Sequence, residues 1–524
     1  MTWAASTAPP DPKRWIALFV LSMSLFIIVL DNTIVNVAVP TIVRELHTNV
    51  SALQWVISGY ALIFASLLIS FGRVGDVIGR RKMFFIGAGL FALGSATQLF
   101  IGESVVEGFG AAMMLPATLA IISATFQGRE RGLAFAVWGA VAGGAGALGP
   151  WVGGILTSDY SWRWAFRVNV IVAPAAVLAA IFVVRESRDE RASGIDIPGL
   201  ITVTLGLLGV VFGIIETSRY GLLTAITSTK LLGLSPVPWS LLAGALFLAF
   251  FVVLEDSRAE QVKPVIFDFR DLVHRGFRYG LINTLVLAMG EFGAFFVLPI
   301  FMQASLHLSA LRAGTWLLPA GVSAFLGGWV GGLLSRRFGP KYVITVGLFL
   351  ESSGIVGYAI AFGPNTTFVS LLPALILHGI GIGFATSQLT NVVLSDIPPQ
   401  KAGSASGAAG MVRQVGTSLG IAVIGAILLS QSGSHIRKDL ERVPGLPTAA
   451  RAEIVANVSN FGGGAPSGAR SNPAVATVIS NGIADGSVPA AGFAATVVFI
   501  GALLSMLVPN IPPDSQQPRS QPAA

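Results

Sequence analysis

Cysteine is absent from this chain of 524 residues, and histidine occurs only five times. Without a thiol, the chain has no cysteine nucleophile, cysteine-ligated zinc, iron–sulfur cluster or disulfide. It also has no His-Glu-x-x-His sequence and no run of clustered histidines, which a metal-dependent intramembrane enzyme would need. We therefore expect no enzyme, no metal site and no cofactor.

Charged residues are scarce, at 11% of the chain, whereas soluble globular proteins carry about 25%. So few charges do not cover the surface of a water-soluble body of 54.6 kDa. Hydrophobic residues make up 53%, and 61 glycines fit membrane helices, in which glycine is commoner than in soluble ones. The composition predicts an all-α polytopic membrane protein. The net charge of +7 then reflects basic cytoplasmic loops, and we expect no nucleic-acid partner.

Fourteen segments approach the roughly 20 apolar residues that a membrane helix needs. They cover residues 15–38, 52–71, 83–102, 105–125, 133–157, 164–184, 198–216, 237–254, 279–303, 311–334, 341–361, 367–392, 402–430 and 490–509. Lys and Arg concentrate in alternate loops, which the positive-inside rule assigns to the cytoplasm. An even number of spans then places both termini in the cytoplasm.

The predicted organisation has five parts. They are a cytoplasmic tail (1–14), a six-helix bundle (15–184), two additional helices (198–254), a second six-helix bundle (279–509) and a disordered cytoplasmic tail (510–524). Residues 431–489, within the second bundle, form the one sizeable extracytoplasmic loop. We expect a loosely ordered connector there, with short amphipathic helices near 435–442 and 449–458; a lid over the outer mouth is the alternative.

Two loops repeat one spacing of glycine and basic residues. Aligning Gly79 with Gly339 also aligns Gly72 with Gly332, and each loop contains an Arg-Arg pair and a lysine. The two additional helices account for the excess length between the copies. Parallel repeated halves around a central site are a transporter architecture.

Five motifs carry a resemblance to a known family. They are Leu30–Pro40 in the first span, Gly72–Lys82 after the second, Gly149–Gly154 in the fifth, Trp162–Asn169, and Arg413–Gly420. The second resembles motif A, and the third motif C, of the major facilitator superfamily. The whole set is similar to its fourteen-span drug:proton antiporters of the EmrB/QacA type, although Ser104 and Glu107 stand where motif B carries Arg and Gln.

The resemblance implies a major facilitator fold, with two six-helix bundles plus two extra helices that rock around a central cavity. It implies a proton-coupled multidrug exporter of lipophilic cationic or neutral compounds, which confers antibiotic resistance. The expected partners are a small-molecule lipophilic substrate, protons and membrane lipids, with the proton gradient as the energy source. The expected location is the bacterial cytoplasmic (inner) membrane, with the protein as a monomer.

Motif A predicts a cytoplasmic gate formed by Gly72, Asp76, Gly79, Arg80 and Arg81. Asp76 is a lone acid inside a basic loop, so it is placed to cap a neighbouring helix N-terminus and to pair with Arg. That clasp would hold the cytoplasmic side shut. Ordinary positive-inside topology is the alternative explanation.

Motif C predicts a hinge at Gly149, Pro150, Gly153 and Gly154. Residues without bulky side chains let a neighbouring helix approach closely, and proline permits a bend. General small-residue packing is served by the same residues, and the resemblance favours the hinge.

Asp31 is the leading candidate for proton and substrate exchange. It lies about 24 Å along the first span, so it is expected in the outer half. An intramembrane carboxylate costs roughly 2.5–3.5 kcal/mol on insertion scales, so it should face a cavity or carry a proton. A proton and a cationic substrate would then compete for one carboxylate. A structural acid bonded to Asn32, Thr33 or Asn36 is the alternative.

Glu107 and Glu291 are lesser exchange candidates, and Glu107 is expected to form an acidic pair with Asp31. Glu351, His378 and Arg413 are predicted to form a buried charge network near mid-depth, in which Arg413 forms a salt bridge with Glu291 or Glu351. His378 is either a proton relay or, more simply, a residue of helix packing.

Other functions remain open at this point. One is export or flipping of an endogenous lipid or natural product, with drug efflux incidental. An uncoupled facilitator would have the same fold. A non-transporting sensor or scaffold predicts an incomplete cavity or a large signalling domain, and we expect no such domain in this sequence.

Overall fold

The computed structural model describes most of the chain. The described residues are 11–45, 50–98, 105–126, 128–188, 194–221, 223, 229–261, 263–398, 401–444, 446–461 and 472–509. Most of them are helical, because a chain in lipid must satisfy its backbone hydrogen bonds within each segment. Three predictions fall wholly or mostly outside the described part: the cytoplasmic tail 1–14 up to residue 10, the disordered tail 510–524, and Ser104 of the motif B region.

Fifteen α-helices lie in the described part of the chain. In order they are α1 (Arg14–Glu45), α2 (Val50–Ile78), α3 (Arg80–Gln98), α4 (Val105–Thr125), α5 (Gly128–Ile155), α6 (Trp164–Val183), α7 (Ile197–Tyr220), α8 (Pro236–Glu260), α9 (Arg275–Ile300), α10 (Ala310–Phe338), α11 (Pro340–Ala361), α12 (Phe368–Ser395), α13 (Ala402–Leu440), α14 (Thr448–Phe461) and α15 (Pro473–Ser505). Short π-helical turns extend α5 (Leu156–Tyr160) and α9 (Phe301–Ser305), and a 3-10 turn (Phe269–Val273) precedes α9.

Eleven of the described helices are long and apolar enough to cross a membrane. The helices α2, α3 and α5 are not among those eleven, although each has 19 residues or more. The chain is therefore a polytopic all-α membrane protein, as predicted, while the exact count of fourteen spans stays a prediction.

Two bundles have separate cores. One core is built mainly from α1 to α6, and the other from α9 to α13 with α15. The additional helices α7 and α8 pack against each other, where Ser240 donates to the carbonyl of Gly209 at 2.7 Å. Helix α7 also contacts α2, where Ser70 and Thr204 hydroxyls lie 3.1 Å apart.

One end of the bundle carries most of the basic connections, and we call it the basic end. It contains the start of α1, the α2–α3 connection and the α10–α11 connection. At this end Arg14 of α1 pairs with Glu130 of α5 at 2.8 Å. The other end, where α5 and α9 finish, is called the opposite end.

The segment 431–489, predicted as a loosely ordered connector with short helices near 435–442 and 449–458, is largely helical in its described part, and the helices are longer than predicted. Helix α13 continues to Leu440, α14 spans Thr448–Phe461, and α15 begins at Pro473. The physical reason is an apolar cluster outside the main cores. Its members are Ile436, Leu440, Val443, Ile454, Val455, Val458, Val475, Ile479 and Ile483.

Candidate functional site

Asp31 is held by a helix from the same half of the molecule. Its side chain on α1 is only 4% exposed, and the Nδ2 amide of Asn169 on α6 donates to its Oδ1 atom at 2.6 Å. Asn169 is itself buried. The side chains of Asn32, Thr33 and Asn36, the alternative partners, lie outside the described part of the structure.

Glu107 binds the same amide. Its Oε1 atom lies 3.3 Å from Nδ2 of Asn169, and the hydroxyl of Ser95 on α3 donates to the same oxygen. Glycine makes this possible, because a Cβ at Gly94 would overlap the backbone of Glu107 where α3 and α4 cross. The predicted proximity of Asp31 and Glu107 is therefore confirmed, through an asparagine to which sequence reasoning gave no role.

Two carboxyl groups on one amide have a definite chemical consequence. The amide nitrogen donates hydrogen bonds but carries no charge, so it does not balance the negative charge of two ionised acids. Such a pair favours binding of a proton or another cation, because like charges in close proximity disfavour full ionisation. We call Asp31, Glu107 and Asn169 the acid pair site.

Glu291 lies in the other half and has a cationic partner. The guanidinium Nη2 of Arg413 on α13 donates to Oε2 of Glu291 on α9 at 3.0 Å. Arg413 also lies over the ring of Phe292, 5.7 Å from its centroid. The predicted salt bridge is present, and Glu291 is the acid that forms it.

Glu351 and His378 are fully buried near this salt bridge. Among the described residues, neither carboxylate oxygen of Glu351 and neither ring nitrogen of His378 has a hydrogen-bond partner. The His378 ring instead contacts Phe295 edge-on at 5.2 Å and Tyr358 at 5.4 Å, measured between centroids. These contacts favour the packing interpretation of His378.

Motif A has the contacts that the clasp requires. The Nε and Nη2 atoms of Arg80 donate to Oδ1 of Asp76 at 2.9 and 2.7 Å, and both side chains are buried. The second oxygen of Asp76 accepts from the backbone N–H of Ser404 at 3.1 Å. Ser404 is in the first turn of α13, so Asp76 caps a helix of the opposite half.

The α2–α3 turn depends on a glycine and on an acid that sequence reasoning missed. Gly79 has φ +116, a conformation that favours glycine, and a Cβ there would overlap the carboxylate of Glu186. Glu186 accepts from the backbone N–H groups of Arg81 and Lys82 at 3.0 and 3.2 Å, which caps α3. The Arg81 side chain donates to the carbonyl of Ile181, not to Asp76.

A second link at the basic end joins the segment before α9 to the start of α13. Nζ of Lys401 lies 2.9 Å from Asp268 and 3.1 Å from Asp271. Partial burial opposes ionisation of Asp268, but the hydrogen bond and charge of Lys401 outweigh it and lower the pKa of that carboxyl. At Asp271, burial outweighs Lys401 and raises the pKa.

Motif C brings α5 close to two other helices. A Cβ at Gly153 would lie 3.1 Å from Cα of Ile34 on α1, and one at Gly154 would lie 3.1 Å from Cα of Leu311 on α10. Gly149 is also buried, and α5 continues through Pro150, whose side chain is outside the described part. Close packing is thus present between halves, while the hinge role stays a prediction.

Comparisons with known proteins identify the family. The Major Facilitator Superfamily profile matches residues 21–421. The chain is 32% identical over 83% of its length to the puromycin resistance protein of Streptomyces alboniger, covering 85% of that protein. It is 27% identical over 97% of its length to the tetracenomycin C resistance and export protein of Streptomyces glaucescens, covering 94%. It is also 27% identical over 82% of its length to a multidrug efflux pump of Mycolicibacterium smegmatis, covering 84%.

Solved structures support the fold. The structure of a human organic anion transporter superposes with a TM-score of 0.59 at 13% identity, and covers 94% of this chain and 100% of that one. An identity this low carries information on the fold alone. The profile match over residues 21–421 covers most of the chain, and it shows that this chain belongs to the Major Facilitator Superfamily.

Proposed function

We propose that the protein is a proton-coupled exporter, a drug:proton antiporter, of lipophilic cationic or neutral compounds. The observation that carries the proposal is the acid pair site, where Asp31 and Glu107 accept hydrogen bonds from one buried amide. The three residues come from α1, α6 and α4, so movement between these helices would change the distance between the two acids.

The exchange follows from charge. A proton on one of the two acids leaves a single negative charge beside Asn169. When that proton leaves, a cationic substrate can neutralise the carboxylate that had carried it. Binding of one therefore favours release of the other, which is the coupling that antiport needs. A neutral substrate would be exported by contacts that differ between the protonated and deprotonated states.

The clasp of Asp76, Arg80 and Ser404 acts as the gate in this proposal. It joins α2 of the first half to α13 of the second at the basic end, so it must open before that end admits substrate. The close contacts of Gly153 and Gly154 allow α5 to move as a unit against α1 and α10. The two halves would then rock about the acid pair site.

We place the protein, as a monomer, in the bacterial cytoplasmic membrane with both termini inside. The basic end then faces the cytoplasm, in agreement with the positive-inside rule. Substrate would enter from this side or from the inner leaflet and leave at the opposite end.

A natural product is the second candidate substrate. The relatives named for puromycin resistance and for tetracenomycin C resistance and export come from Streptomyces species. Export of one endogenous or environmental compound would use the same acid pair site, and it differs from multidrug efflux in the range of substrates accepted.

Proton movement in inside-out membrane vesicles tests the proposal. Ethidium is added to vesicles containing the wild type or Asp31→Asn, and internal pH is followed with a fluorescent dye. The wild type is expected to release protons on ethidium addition, and Asp31→Asn is expected to lose the response because an amide does not exchange a proton. Asp159→Asn, the same change at an exposed position, is the matched control and should respond like the wild type.

Release that persists in Asp31→Asn would remove this residue from the exchange and direct the search to Glu107. A folded, inserted wild type that gives no response to ethidium would count against export of lipophilic cations. In that case the same assay with puromycin and with neutral lipophilic compounds would test the second candidate.

A further inference from the structure

The second half contains a buried carboxyl group that the proposed exchange does not use. Glu351 on α11 has no exposed surface, and among the described residues neither of its oxygens has a hydrogen-bond partner. Burying an ionised carboxylate without a partner costs far more than burying the neutral acid. The surroundings of Glu351 in this structure therefore fit the protonated form.

The charge balance of its neighbourhood supports the same conclusion. Glu351 lies within electrostatic range of Glu291 and Arg413, which form the salt bridge of 3.0 Å. Arg413 carries one positive charge, and the two carboxyl groups carry two negative charges when both are ionised. The cluster is therefore neutral only when one of the two carboxyl groups is protonated. Because Arg413 already pairs with Glu291, the proton belongs on Glu351.

The other helices around Glu351 bring no second cation among the residues that the structure describes. On α12, His378 is buried without a hydrogen-bond partner, so a charged imidazolium there would be as costly as an ionised Glu351. Tyr358 lies two turns further along α11. On the α15 side, Ser352 donates to the carbonyl of Ala495, and Asp485 is ten residues away, about 15 Å along that helix.

The members of this cluster differ in how accessible they are. The Arg413 side chain is 25% exposed, whereas that of Glu291 is 5% exposed and Glu351 is fully enclosed. The salt bridge is therefore the more accessible side of the cluster, so Glu291 is the nearest acid through which a proton of Glu351 would reach the surface of the helices.

From this geometry we propose that Glu351 is a second proton-binding site, which exchanges its proton through Glu291 when Arg413 changes partner. In that step the carboxylic acid of Glu351 gives its proton to the carboxylate of Glu291, while Arg413 moves its hydrogen bond from Glu291 to Glu351. One O–H bond breaks, one forms, and the cluster keeps zero net charge. Transport of this proton rests on the antiport function proposed above.

Infrared spectroscopy of the purified full chain in lipid tests the site without any transport. On raising the pH, the wild type is expected to lose a carbonyl band of a protonated carboxyl that Glu351→Gln lacks from the start. Glu291→Gln is expected to lack the same band, because Arg413 then pairs with the carboxylate of Glu351. Ser352→Ala and Tyr358→Phe, on the same helix, should both keep it.

Proton counting in inside-out vesicles tests the role in transport. The number of protons released per ethidium is expected to fall to about half in Glu351→Gln, whereas Asp31→Asn abolishes release. Ser352→Ala should keep the wild-type ratio.

Each result has one meaning. The site is overturned if Glu351→Gln loses none of the protonated-carboxyl band that the wild type shows; the band expected from the acid pair site is present in both proteins and cancels in their difference. A band that is lost while the ratio of protons to ethidium is unchanged overturns its role in transport. If the wild type releases no protons at all, the proposed antiport fails, and the infrared result still decides whether Glu351 binds a proton.

Discussion

The two six-helix halves each bury a pair of carboxyl groups, but they balance the charge differently. In the first half, Asp31 and Glu107 accept hydrogen bonds from the neutral amide of Asn169. In the second half, Glu291 pairs with the cation of Arg413, and Glu351 has no hydrogen-bond partner among the described residues.

This difference gives the two proposed proton sites different ligand requirements. A pair of acids around a neutral amide keeps a negative charge that a cationic ligand can neutralise. A pair of acids around a guanidinium carries its own cation, so in the proposed exchange it takes up a proton and has little need of a cationic ligand. We therefore expect substrate to compete with protons in the first half, and not in the second.

The two repeated loops at the basic end also differ between the halves, because only the first contains an acid that pairs with an arginine. In the first half, Asp76 pairs with Arg80 and caps α13 across the interface. Arg336 stands at the equivalent position of the second half, where it is exposed and has no ion pair among the described residues. The clasp thus belongs to one half, as the lone acid in motif A predicts.

The largest effect is expected from removing the cation of the second half. Arg413→Gln leaves the buried Glu291 without its partner, which costs about 3–5 kcal/mol for a broken buried pair. The melting temperature in detergent should fall clearly, and Arg413→Gln with Glu291→Gln should recover most of the loss. Asp31→Asn, an exchange of similar shape beside a neutral amide, should change it much less. Equal losses in the two halves would contradict the comparison.

A smaller effect is expected from breaking the clasp. Asp76→Asn removes charged hydrogen bonds worth about 1.5–3 kcal/mol each, so the basic end should open more often. Because the chain has no cysteine, spin labels can be attached at Ile78→Cys and Phe338→Cys, which are exposed near the ends of α2 and α10. Electron–electron distance measurements should show a longer component in Asp76→Asn.

Arg336→Gln is the matched control for this measurement, since exposed substitutions are usually within about 0.5 kcal/mol of neutral. It should leave the distance distribution unchanged. A distribution that moves equally in both variants would mean that general loop charge, and not the clasp, closes the basic end.

The smallest effect is expected at Lys401, through pH. The pKa of Asp268 is lowered, so its contribution to stability is present above the ordinary value of about 3.9 and is lost as the pH falls through the folded value. The pKa of Asp271 is raised, so its protonation gives a small gain at somewhat higher pH. A shallow maximum in melting temperature, followed by a decline below about pH 4, should result.

Lys401→Met should flatten the decline, because Asp268 then loses the group that lowers its pKa. Lys438→Met, an exposed lysine at the far end of α13, is the control and should keep the wild-type profile. The expected difference is below about 1 kcal/mol, since these side chains are partly exposed. Identical profiles for Lys401→Met and the wild type would exclude the link as a pH-dependent element.

The sequence predicted those site residues whose charge is unusual for the segment in which they lie. Asp31 and Glu107 stand out as acids in apolar segments, and Asp76 as an acid in a basic loop. Asn169 and Glu186 do not stand out in this way, since an asparagine near a span end and a glutamate after a span are ordinary. Asn169 was marked only by its place in the Trp162–Asn169 motif, which says nothing about its partners.

The sequence by itself determined that the chain is helical and spans a membrane, because hydropathy is a local property. It also identified several of the buried acids, namely Asp31, Asp76, Glu107, Glu291 and Glu351. Only the tertiary structure decided which of them share a donor. Asp31 meets Asn169 across 138 residues, Glu291 meets Arg413 across 122, and Asp76 meets Ser404 across 328.

The helical structure of segment 431–489 also depends on contacts between remote parts of the chain. Its polar and glycine-rich stretches favour a loop when each is considered alone. The apolar residues of α13, α14 and α15 become a core only when the three helices pack together, and this burial outweighs the local preference. Partner choice and packing depend on distances between remote segments, which a linear pattern does not contain.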